Sequence, residues 1–168
     1  MNKLYFITGA SGAGKTTAVE NLEKKNLPNI KTFYFDNAGV PSEEEMIEKY
    51  GSGENWQKET TKNWVKEIVV KHLDNFDVIL DGQMRISFIE EACKEYRLQN
   101  YEIILIDCSN EERKKRLESR NQSWLYNEDM VNWSKYLRDE TLKGKHKIID
   151  NTNYIQDETL EKLILLIK

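Results

Sequence analysis

Short apolar bursts punctuate the chain at Leu4–Ile7, Thr32–Phe35, Val78–Leu80, Ile103–Ile106 and Ile148–Ile149. Each is a brief continuous run, the pattern of a strand covered on both faces in a parallel sheet. Between the bursts, apolar residues recur at helical spacing. They are Trp64, Val65, Ile68, Val69 and Leu73 within 56–73, then Met130, Trp133 and Leu137, and last Leu160, Leu163, Ile164 and Ile167. Ser42 with Glu45, and Ser109 with Glu112, both read as capping boxes. In each, the Ser hydroxyl and the Glu three residues on satisfy free amides of a first helical turn. Strands alternating with helices imply right-handed βαβ crossovers and an α/β sandwich. No repeat, low-complexity tract or linker breaks the pattern, so one domain spanning 1–168 is expected.

Composition narrows the class. Hydrophobic residues are 39% and charged residues 32% of 168 positions. No apolar run approaches the ~18 residues that a membrane-spanning helix needs. The opening Met-Asn-Lys-Leu-Tyr-Phe-Ile-Thr lacks the long apolar core of a signal peptide, so a cytoplasmic protein is expected. Twenty-five basic and 29 acidic side chains give a net charge of -4. That balance argues against a general nucleic-acid binder while leaving room for a local basic pocket. Cys93 and Cys108 form no paired-spacing motif, and with only His72 and His146 beside them there is no zinc pattern; all four are expected to be structural.

The sharpest signal is Gly9-Ala10-Ser11-Gly12-Ala13-Gly14-Lys15-Thr16, a full G-x-x-x-x-G-K-[ST] pattern between an expected strand and an expected helix. Glycines let the backbone approach a phosphate closely, so that successive N–H groups point at anionic oxygens. The helix N-terminus adds about +0.5 charge, and Lys15 adds a full mobile one. Thr16 offers a hydroxyl suited to Mg²⁺, with Thr17 beside it in the first turn. A plain glycine turn with a solvated lysine is the competing reading, and the completeness of the motif argues against it.

On these residues the chain resembles the P-loop NTPases, and its small size makes it similar to the compact P-loop kinases: adenylate, shikimate and gluconate kinases and the small antibiotic phosphotransferases. The resemblance spans essentially the whole chain. It implies a three-layer α/β/α fold with about five parallel strands in order 2-3-1-4-5, an acceptor-binding helical segment over about 37–75 and a short lid over about 116–130. It also implies ATP and Mg²⁺ as cofactors, with γ-phosphoryl transfer to a small acceptor.

The other motifs are carried over one by one. Val78-Ile79-Leu80-Asp81-Gly82 has the form of a Walker B strand, so Asp81 is expected behind the metal. With Gln83, Met84 and Arg85 it resembles the Asp-Gly-Phe-Pro-Arg segment of adenylate kinases, where the Arg contacts a substrate phosphate. Here Gln83-Met84 replaces Phe-Pro. Asp36 closes the second apolar burst, where shikimate and gluconate kinases place an Asp facing the acceptor hydroxyl; it is expected to orient that hydroxyl and accept its proton. A solvated turn residue is the plainer alternative. Arg116 and Arg120 stand four apart on one helix face, a spacing similar to the lid entrance of adenylate kinases, where one Arg packs on adenine and the next meets phosphate. A charged surface face would also explain them. Asn151 and Thr152 follow the last burst, where related kinases read the adenine edge; helix capping competes as an explanation. Trp56 offers an aromatic face to an acceptor, or simply joins the core.

One absence steers the acceptor. Adenylate kinases carry an arginine soon after the second strand, but between Asp36 and Trp56 this chain has only Lys49, among Glu43, Glu44, Glu45, Glu48 and Glu54. A dianionic acceptor fits poorly there, so the expected acceptor is a neutral or cationic hydroxyl compound. The competing functions are a nucleoside monophosphate kinase, a polynucleotide 5′-kinase and a nucleotide-responsive binding module without acceptor chemistry. Nothing in the sequence chooses between monomer and homodimer.

Overall fold

The computed structural model describes residues 2–167. Five strands, β1 (Leu4–Thr8), β2 (Ile30–Tyr34), β3 (Asp77–Asp81), β4 (Tyr101–Asp107) and β5 (Lys147–Asp150), form one parallel sheet in the order β2-β3-β1-β4-β5. Seven helices connect and cover them: α1 (Lys15–Glu23), α2 (Glu43–Tyr50), α3 (Gly53–Lys71), α4 (Ile86–Glu95), α5 (Asn110–Ser119), α6 (Glu128–Lys143) and α7 (Gln156–Ile167).

Side-chain alternation along the central strand explains the three layers. Leu4 and Phe6 of β1 point to one face and pack with Val65 and Ile68 of α3 and Ile86 and Ile89 of α4. Tyr5 and Ile7 point to the other and pack with Val19 and Leu22 of α1 and Leu160 and Leu163 of α7. Both faces are therefore apolar, which is why the strands read as continuous bursts rather than alternating runs. The strand order places the carboxyl ends of β1, β3 and β4 side by side, the edge at which open α/β sheets bind ligands.

Several boundaries differ from the sequence expectation. The second strand ends at Tyr34, and Phe35–Ala38 turns into a short 3-10 helix, so Asp36 sits two residues beyond the strand. The aromatic burst Phe33-Tyr34-Phe35 concealed the stop, because Phe35 is buried under α3 rather than in the ladder. The long helix starts at Gly53, three residues before Trp56, because the Ser52 hydroxyl accepts from Asn55 N. The Ser42 capping box is complete. At α5 only half of one forms: Ser109 accepts from Glu112 N, but the Glu112 carboxylate turns to Arg116. Trp124, in a 3-10 turn at Ser123–Leu125, is 69% exposed and anchors no core. No helix among the described residues is long and apolar enough to cross a membrane.

Candidate active site

The loop between β1 and α1 is held from behind by polar side chains. Gly9 passes so close to β4 that a Cβ there would lie 2.3 Å from the Ile106 carbonyl oxygen, and Gly14 enters α1 at φ 94°, where a Cβ would lie 2.8 Å from Asn151 Nδ2. Arg113, wholly buried on α5, donates from Nη1 to the Ser11 carbonyl at 2.9 Å and from Nη2 to Asp107 Oδ1 at 2.7 Å. Asp107 Oδ2 in turn accepts from Arg138 Nε at 2.7 Å. Asn151 Nδ2 donates to the Ala13 carbonyl at 2.6 Å, and the Cys108 thiol faces the Gly12 carbonyl at 3.7 Å. These contacts engage the loop's carbonyls at residues 11, 12 and 13 from behind, an arrangement suited to a loop that offers N–H groups to an anion.

The loop lines a cavity of about 190 Å³ shared by Ala10, Ser11, Gly12, Gly14, Lys15, Thr16 and Thr17 with Leu117, Arg120, Gln122 and Leu125. Thr16 Oγ1 donates to Asp81 Oδ2 at 3.0 Å, and Lys15 Nζ lies 3.4 Å from the same hydroxyl. Asp81 is 3% exposed, and its Oδ1 has no hydrogen-bond partner among the described residues. Burial pushes this carboxyl above the usual aspartate range, opposed by the Lys15 charge and the Thr16 hydrogen bond; the Asp36 and Glu20 charges push it further up. Asp36 itself is exposed, near enough for its charge to act on Asp81. Unpartnered carboxylate oxygen in a buried position is costly, and a hard cation would satisfy it. Mg²⁺ typically takes one or two carboxylates and keeps water and phosphate oxygens for the rest, so Thr16 and Asp81 fit that ion. Among the described residues no cluster of three or more His, Cys, Asp or Glu forms a closed protein metal cage.

The segment after β3 is wired into its surroundings. Thr8 Oγ1 bonds both the N–H and the C=O of Met84. Gln57 of α3 donates to the Gln83 carbonyl at 3.0 Å and accepts from Arg85 N at 3.2 Å. The Gln83 side chain reaches Ser11 Oγ and Trp133 Nε1, both at 3.0 Å. Arg85 pairs with Glu54 at 3.4 Å and stacks its guanidinium within 5.1 Å of the Trp133 ring centroid and 5.2 Å of Tyr136. Trp56 is half-buried, set edge-on against Phe35 at 5.9 Å between centroids. The glutamates of α2 all face solvent.

On the opposite side a second cavity, about 480 Å³, opens between α1, α5 and the start of α7, lined by Gly14, Thr17, Arg116, Arg120, Asn151, Tyr154 and Ile155 among others. The two cavities share Gly14, Thr17 and Arg120 and so adjoin. Arg116 is heavily engaged: Nε donates to Glu112, Nη1 to Ala13 O and Asn151 Oδ1, and Nη2 to Asn151 O. Arg120 stands at the end of α5, exposed to both cavities. Thr152 Oγ1 donates to Asp150 and accepts from Ser109 N, closing the β5–α7 turn. Of the sequence candidates, the loop, Arg116, Arg120 and Asn151 line two joined cavities, Asp81 meets the loop through Thr16, and Asp36 lies near enough to Asp81 for its charge to act there. Arg85 and Trp56 lie on the α3 side, and the Thr152 side chain is taken up by its turn.

The sequence reading missed Arg113, Asp107, Gln57 and Gln83. A signal existed for Arg113: Leu117 marks the buried face of α5, and Arg113 lies four residues before it on that face. The glutamines had none, since each acts across distant segments.

Parallel strands in this order, with a glycine-rich loop running from β1 into α1, define the P-loop NTPase fold. Within that class, the sequence profile described as AAA domain matches residues 6–154, and the chain belongs to that family. No curated protein matches it in sequence. Among solved structures it is similar to a sugar kinase from Janibacter sp., with 13% identity, 98% of this chain and 94% of that chain covered and a TM-score of 0.67. A gluconokinase from Sinorhizobium meliloti gives 14% identity, 98% and 91% coverage and a TM-score of 0.65. Shikimate kinase from Acinetobacter baumannii, in complex with shikimate, gives 16%, 99% and 93%, and 0.61. At these identities the likeness is one of fold.

Proposed function

We propose that the protein is an ATP-dependent phosphotransferase that moves the γ-phosphoryl group to a small hydroxyl-bearing acceptor. The observation that carries this reading is the pair Thr16–Asp81, 3.0 Å apart, with the second Asp81 oxygen buried and unpartnered beside the glycine-rich loop. When bound there, Mg²⁺ offsets negative charge on the nucleotide's β- and γ-phosphates. The chain's own groups do the rest. Loop amides and Lys15 hold the β- and γ-phosphates, while the larger cavity between Arg116, Asn151 and Tyr154 takes the base and sugar. Arg120, reaching both cavities from the end of α5, offsets charge developing on the moving phosphoryl group. Asp36 is the group that orients the acceptor hydroxyl and takes its proton.

Arg85 favours a hydroxyl acceptor over a nucleoside monophosphate. Its charge is met by Glu54 and its faces by Trp133 and Tyr136, which leaves it a poor grip for a second phosphate. That the fold is shared with a sugar kinase, a gluconokinase and a shikimate kinase supports a phosphotransferase reading. The test is ADP release with ATP·Mg²⁺ across a panel of sugars, polyols, nucleosides, aminoglycosides and nucleoside monophosphates. One hydroxyl compound is expected to stimulate turnover, and Lys15→Ala and Asp36→Asn to lower it by about 10²–10⁴-fold without unfolding the chain. Rapid phosphorylation of AMP, CMP, GMP or UMP, or no stimulation by any member, would overturn the proposal.

A further inference from the structure

Three groups from distant parts of the chain meet end to end where the segment after β3 reaches the phosphate loop. Trp133 Nε1 of α6 donates to Gln83 Oε1, and Gln83 Nε2 donates to Ser11 Oγ, each at 3.0 Å. Chemistry fixes the direction of this chain. An indole N–H can only donate, so the amide oxygen of Gln83 must face Trp133 and its NH₂ must face Ser11. The Ser11 hydroxyl then receives a proton from one side and has its own hydrogen free for another acceptor. Ser11 lines the phosphate cavity and does not line the larger one beside Asn151. Gln83 belongs to the loop that Gln57 ties to α3, on the Asp81 side, which puts Ser11 at the end of the cavity where the terminal phosphoryl group would lie. The backbone at Ser11 is fixed independently, through Arg113.

We propose that Trp133 and Gln83 are positioning residues that set the Ser11 hydroxyl as a hydrogen-bond donor to the γ-phosphoryl oxygens of a nucleoside triphosphate. The arrangement makes α6, the helix after the 3-10 turn at Ser123–Leu125, part of triphosphate recognition without itself touching the nucleotide. It rests on the reading of the loop as a nucleotide site and adds to it a means of telling triphosphate from diphosphate.

Calorimetry with ATP·Mg²⁺ and ADP·Mg²⁺ on the full chain tests it, using Ser11→Ala, Gln83→Met, Trp133→Phe and the Ser11→Ala/Gln83→Met double variant, each checked for an unchanged unfolding temperature. A hydrogen bond to a charged group implies that Ser11→Ala weakens ATP about tenfold or more, with ADP altered less than about twofold. Gln83→Met, which keeps the size but removes the amide, is expected to weaken ATP about three- to tenfold in the same selective way. In Trp133→Phe the amide is free to flip and take the Ser11 proton itself, so a smaller but still ATP-selective loss is expected. The double variant should bind ATP no more weakly than Ser11→Ala alone, because the three groups form one path. Trp133→Phe keeps the test open if Gln83→Met does not fold. Equal losses for ATP and ADP, losses that multiply in the double variant, or wild-type ATP affinity in both Gln83→Met and Trp133→Phe would overturn the relay alone. A wild-type chain that binds neither nucleotide would overturn the nucleotide reading and the relay with it.

Discussion

Replacing Asp107 with asparagine would isolate the charge that sits behind the phosphate loop. Asp107 Oδ1 lies 2.7 Å from Arg113 Nη2, and both side chains are nearly or wholly out of water. The substitution keeps the shape and one acceptor oxygen but leaves the Arg113 guanidinium as an uncompensated buried cation. Removing one partner of a buried ion pair costs about 3–5 kcal/mol. For a chain of this length each kcal/mol moves the unfolding temperature by roughly 2–4 °C, so a fall of about 6–20 °C is expected. Two controls sharpen the comparison. Arg138 meets the other carboxylate oxygen but is 44% exposed, so Arg138→Ala should lose no more than about 1–2 kcal/mol. Arg113→Met fills similar space with apolar atoms and leaves Asp107 paired to Arg138, so it should fall between the two. Urea and thermal unfolding of the four proteins would measure the order. If Asp107→Asn loses less than about 1 kcal/mol, or no more than Arg138→Ala, the assignment of the buried charge as the brace of the loop is wrong.

Two further expectations concern Asp81 and Arg120. Burial raises the Asp81 carboxyl in the folded state, so its contribution to stability is fullest below the ordinary aspartate value and is lost as pH climbs through the raised one. Asp81→Asn should accordingly raise the unfolding temperature at pH 7, with the gain shrinking toward about pH 4, while magnesium-dependent ATP binding weakens; a lower unfolding temperature at pH 7 would contradict this. Arg120 is exposed, and among the described residues its side chain makes no hydrogen bond or ion pair. Arg120→Ala should then change stability by less than about 0.5 kcal/mol and phosphoryl transfer by about 10³-fold or more, read by unfolding and by initial rates, and a near-normal rate would remove it from the reaction.

The alternation of strands and helices and the phosphate loop were legible because they depend on local pattern, and the strand order followed from the family resemblance that the loop motif carries. Bursts separated by helices admit few parallel arrangements, and the eight-residue motif carries its own geometry. Asp36 was expected at the strand's end but lies in a 3-10 turn two residues past it, because Phe35 is apolar for a reason the burst does not reveal: it packs beneath α3. The braces were hidden for a different reason. Arg113 lies in the run Glu111–Arg120, where Lys114 and Lys115 are exposed, and its spacing of four from Leu117 is the one trace that it turns inward. Gln83 and Gln57 look like ordinary polar residues until folding brings residues 11, 57, 83 and 133 together. Glutamines whose role is to connect distant segments leave no periodic trace.

Arg116 and Asn151 hold the Ala13 carbonyl from two directions. A loop already frozen by its own chain has little conformational freedom left to surrender on encounter. Arrival of different nucleotides should consequently proceed at similar speeds, and discrimination between them should be written in how long each one stays.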